Sequence, residues 1–156
     1  MKDYLLKKEK VMKSKYFESE ESLDQILVDY KELFEQIEDY GQQLLQGIIT
    51  TPDDFSSLLN FATGAYSSLE PLYSMAEATK LNEELKQYVT LKREVEAKGD
   101  KVVSASLERE SSLAVANFRR IRAILEGYVL TTEKIIITCQ TQLKRMTENK
   151  QYKPQE

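Results

Sequence analysis

Val103, Leu107, Ala114, Phe118, Ile121, Leu125, Tyr128, Ile135, Cys139, Leu143 and Met146 fall on one stripe of a helical repeat, with no proline and a single glycine, Gly127, among them. A helix over 104–149 would be roughly 70 Å long at about 1.5 Å per residue. No isolated helix keeps such a stripe in water. It has to pack on the preceding helix as an antiparallel hairpin, on a second copy of the chain, or on both. From Phe118 to Ile135 the stripe follows a heptad, with Thr132 in one seam position. This one segment therefore predicts an all-α fold of long amphipathic helices, a helical hairpin or bundle that assembles through its C-terminal helix. Phe118, Ile121, Leu125, Tyr128, Ile135, Cys139 and Leu143 are the expected oligomer interface, and a homo-oligomer is the expected state.

The rest of the chain agrees with that class. Leu23, Leu27, Tyr30, Phe34, Ile37, Gly41, Leu44 and Ile48 advance in steps of three and four, which predicts a helix over 20–48 with Ser19 or Ser22 at its start. Thr51-Pro52-Asp53-Asp54 is the sharpest local signal. Thr51 can cap, Pro52 loses nothing by lacking an N–H at the first helical position, and the two acids meet the positive end of the helix dipole. The helix begun there carries Phe55, Leu58, Ala62, Ala65, Leu69 and Leu72, meets Pro71, where a kink is expected, and resumes with Leu81, Leu85, Tyr88 and Val95. Gly99 should end it near residue 98 in a left-handed turn, and Ser104 or Ser106 opens the last helix. Residues 1–18 read as a basic arm or short helix, 19–150 as one helical domain, and 151–156 as a disordered tail. Five glycines and three prolines in 156 residues supply too few turns for a sheet protein.

The catalytic inventory is thin. The chain has no histidine, the commonest general acid/base and metal ligand. Its one cysteine, Cys139, lacks a base to activate it and sits on the apolar stripe, where a thiol behaves as a small hydrophobe. No phosphate loop, nucleophile elbow or metal-ligand spacing occurs. Binding rather than catalysis is the expected mode, with no cofactor and no metal. No apolar run approaches the roughly 18 residues of a membrane span, and no apolar signal region follows the N-terminus. A cytoplasmic protein with no membrane partner is expected.

Charge is unevenly placed. Residues 1–15 carry six lysines against Asp3 and Glu9; residues 16–79 carry thirteen acids against Lys31 alone; residues 80–150 carry fourteen bases against ten acids. The acidic stretch 16–79 is a candidate docking region for a protein partner. In the basic part, Lys92, Arg93, Arg109, Arg119, Arg120, Arg122, Lys144 and Arg145 are the candidate phosphate contacts of a single-stranded nucleic acid. A hairpin turning near 100–102 would place residue 93 opposite 109. Tyr16, Phe17, Tyr66, Tyr73 and Tyr128 are candidate stacking aromatics, or simply core. The competing account pairs the arginines with Glu108, Glu110 and Glu126, or with the acidic half of a neighbour.

Val103-Ser104-Ala105-Ser106-Leu107-Glu108-Arg109-Glu110-Ser111-Ser112, Phe118-Arg119-Arg120-Ile121-Arg122 and Gln140-Thr141-Gln142-Leu143-Lys144, taken in order, resemble bacteriophage UvsY-type recombination mediators over residues of about 66–149. The resemblance implies an oligomeric helical accessory protein that binds single-stranded DNA without sequence preference and assists recombination or replication, in the cytoplasm of an infected bacterium. Leu91-Lys92-Arg93-Glu94 is the nearest match to that family's DNA-contacting segment, with the arginine displaced by one position. The alternative is a structural or protein-interaction module, such as a virion component, an assembly chaperone or an anti-defence factor, using residues 16–79.

Overall fold

The computed structural model describes residues 2–151, without the side chains of Lys2, Leu5, Lys150 and Gln151. Six helices follow one another: α1 (Lys2–Tyr16), α2 (Glu20–Asp29), α3 (Lys31–Leu45), α4 (Pro52–Ala97), α5 (Ser104–Ala114) and α6 (Ala116–Gln151). No strand occurs among the described residues, so the all-α expectation holds. The basic N-terminal segment is helical. Residues 152–156 of the expected tail lie outside the described residues, and Gln151 closes α6.

The local signals act as their chemistry dictates. Thr51 and Asp54 form a reciprocal capping box: the Thr51 N–H donates to Asp54 Oδ2 at 3.1 Å and the Asp54 N–H to Thr51 Oγ1 at 3.1 Å. That bonding with Thr51 holds the Asp54 carboxyl below the usual carboxylate range. Ser19 and Ser22 make the same exchange ahead of α2. Gly99 takes φ +75° and Gly47 φ +69°. Around each, two backbone bonds close the preceding helix: Asp100 N–H to the Val95 carbonyl and Gly99 N–H to Glu96 after α4, Ile48 N–H to Gln43 and Gly47 N–H to Leu44 after α3. Neither Ser104 nor Ser106 caps α5. Val103 holds the cap position without a side-chain bond, and the Ser106 hydroxyl donates to Glu110.

Two helices expected to be continuous are broken. The 20–48 helix divides at Tyr30, with φ −104° and ψ 5°, and ends at Leu45 rather than Ile48. Its buried residues are Leu23, Ile26, Phe34 and Ile37. In a straight helix Ile26 and Phe34 would point about 80° apart, and the break lets each segment present its own buried pair. The 104–149 helix divides at Val115, with φ −108° and ψ 26°. Leu107, Ser111 and Val115 follow one another in steps of four, which drift round a helix, and the break rephases the stripe onto Phe118, Ile121 and Leu125. α4, by contrast, runs through Pro71 without ending. The fully buried Leu69 and Leu72 flank the proline and hold the helix through the missing hydrogen bond.

The chain sorts into two compact units. The first comprises Met1–Val28 and Leu72–Leu125, and its buried side chains include Leu23, Ile26, Leu72, Ile121 and Leu125, together with Tyr16 and Phe17. The second comprises Asp29–Pro71 and Glu126–Glu156 and centres on Ile37, Leu58, Ala62, Leu69, Thr132 and Cys139. There Phe34 stacks on Tyr128 with ring centroids 4.1 Å apart, and Tyr40 meets Phe61 at 4.8 Å. Thr132 satisfies its hydroxyl on the Tyr128 and Val129 carbonyls of its own helix. Charge partitions with the units: the first holds sixteen bases and fourteen acids, the second six and twelve.

Candidate protein-binding face

The stripe expected to join copies of the chain is the chain's own core. Phe118, Ile121, Leu125, Ile135 and Cys139 are buried by the surrounding helices of the same chain. Tyr128 and Leu143 are half-buried, and the Tyr128 hydroxyl donates to Glu38. Burial, followed by that bond to a carboxylate, pushes the Tyr128 phenol up to about 12. A stripe read from sequence marks what must be covered. It does not say which helices do the covering, and here they are internal.

Most of the basic candidates are also engaged. Arg120 pairs with Asp24 and bonds Asn117, whose side chain in turn donates to the Glu20 carbonyl at 3.2 Å. Arg122 pairs with Glu77 and donates to the Tyr73 hydroxyl at 3.0 Å. The bond from Arg122 holds the Glu77 carboxyl below the usual carboxylate range. Arg119 bonds Ser112. Lys92 pairs with Glu96 at 3.8 Å and Lys144 with Glu148 at 3.9 Å. Arg120 and Arg122 therefore answer the acidic stretch 16–79 within one chain, through Asp24 and Glu77. Arg93, Arg109 and Arg145 remain exposed, with no ion pair among the described residues.

Tyr88 shares a groove with Glu108 and Ser111, and Glu77 pairs with Arg122. The proposed stacking aromatics are largely interior: Tyr16 and Phe17 are buried, and Tyr66, Tyr73 and Tyr128 half-buried.

What stands open instead is apolar. On the first unit's part of α4, Leu81 is 51% exposed, Leu85 62% and Val89 37%. These three occupy successive turns at steps of four and form a single ridge. Leu81 and Leu85 were expected in the core with Tyr88 and Val95. The structure half-buries Tyr88, Leu91 and Val95 and leaves the ridge uncovered. The sequence does hold the signal. Leu81, Leu85 and Val89, taken with Tyr88, Leu91 and Val95, make an apolar arc wider than one helix contact can cover.

Two grooves border the ridge and meet at Leu85. One, of about 260 Å³, is lined by Leu81, Glu84, Leu85 and Tyr88 of α4 with Glu108 and Ser111 of α5. The other, of about 570 Å³, includes Leu85 and Lys86 of α4, with Lys13 and Phe17 from the end of α1 and the residue beyond it. Among the described residues no group of three or more acidic or thiol side chains is placed to hold a metal ion. No helix there is long and apolar enough to cross a membrane. The chain matches no protein-family model, no curated protein and no solved structure.

Proposed function

We propose that this chain is a non-enzymatic helical interaction module that binds a protein partner on the Leu81–Leu85–Val89 face of α4. The observation that carries this reading is the ridge itself: three large apolar side chains left to water on adjacent turns of one helix. Contiguous exposed apolar surface of that kind marks interaction sites. The acidic stretch 16–79 contributes less than its charge suggests, because Asp24, Glu38 and Glu77 are taken up inside the chain.

The test is a photo-crosslinker attached at Leu85→Cys, with Ser57→Cys in the second unit as control. Cys139 is buried and does not compete for the label. In extract from cells that naturally make the protein, a discrete protein adduct should form from position 85 only. Unlabelled wild-type chain should compete it away, and Leu85→Glu should not. Equal adducts at both positions, or none at 85, refute the reading.

Single-stranded DNA binding, with the recombination role that the UvsY-type resemblance implies, is the second reading. The exposure of Arg93 and Arg109 in the unit that also holds the α1 lysines favours it. Fluorescence anisotropy with an oligonucleotide decides it: binding at about 50 mM salt that collapses at moderate salt supports DNA, and none at 50 mM removes it.

A further inference from the structure

We draw no further inference here: the strongest candidate, the Leu81–Leu85–Val89 ridge of α4 with the two grooves that meet at Leu85, belongs to the face already described, and nothing in the structure shows what covers it.

Discussion

Arg122 on α6 donates from Nε to Glu77 and from Nη2 to the Tyr73 hydroxyl, so one guanidinium fastens two side chains a turn apart on α4. Both α4 partners come from the acidic half of the sequence. Arg122→Met should lower stability at neutral pH by about 1–2 kcal/mol in chemical denaturation. The pH dependence follows from Glu77, whose carboxyl lies below its ordinary value of 4.5 in the folded chain. Its contribution is present above that value and is lost as pH falls through the lower folded value. The gap between wild type and Arg122→Met should therefore narrow below about pH 4.5. A gap constant from pH 7 to pH 3 would contradict the assignment.

Tyr128→Phe keeps the ring on Phe34 and removes only the hydroxyl bonded to Glu38. The expected cost at neutral pH is about 1 kcal/mol. The phenol sits at about 12 in the folded chain against an ordinary 10.0, so the neutral form is what folding favours. That contribution is complete below pH 10 and disappears as pH rises toward 12. Wild type should lose stability over that interval more steeply than Tyr128→Phe, and ultraviolet titration should show one tyrosine ionising after the others.

The glycines separate into two groups by backbone alone. Gly47 and Gly99 hold positive φ, and a β-carbon at either would meet no atom within 4 Å. Alanine at either position should still cost about 1–2 kcal/mol, from conformation and not from crowding. Gly127 lies inside α6 with the same open space and ordinary helical φ. Gly127→Ala should stabilise by about 0.5–1 kcal/mol. Thermal melts of the three variants check the opposite signs.

Cys139 is fully buried, and burial pushes its thiol up. The native chain should not react with Ellman's reagent, and denaturant should release one reactive thiol per chain. Reaction at native-state speed equal to that of a free thiol would place Cys139 outside the core.

Helix class, the Gly99 stop and the Thr51 cap were legible in the sequence because each depends on a few neighbouring residues. The breaks at Tyr30 and Val115 were not. They arise where a drifting stripe has to be rephased against helices distant in sequence, and the local residues at both points are unremarkable helix formers. The same limit governed the site. Phe118, Ile121 and Leu125 announce that they need cover, yet a second copy and the chain's own helices supply it equally well on paper. Arg120 and Arg122 look free until Asp24 and Glu77, which lie 96 and 45 residues away, come beside them. Leu81 and Leu85 carried the opposite ambiguity, reading as core and ending in water.

Among the described side chains of α1, the one that is buried lies in its last turn. Tyr16 and the following Phe17 are buried, while no side chain described before them is. The first fifteen residues thus act as a charge counterweight to the rest of the sequence. A protease cutting after Lys15 would take the chain from −4 to −8 while removing no described buried side chain. One clip would double the net negative charge the molecule presents to any anionic surface.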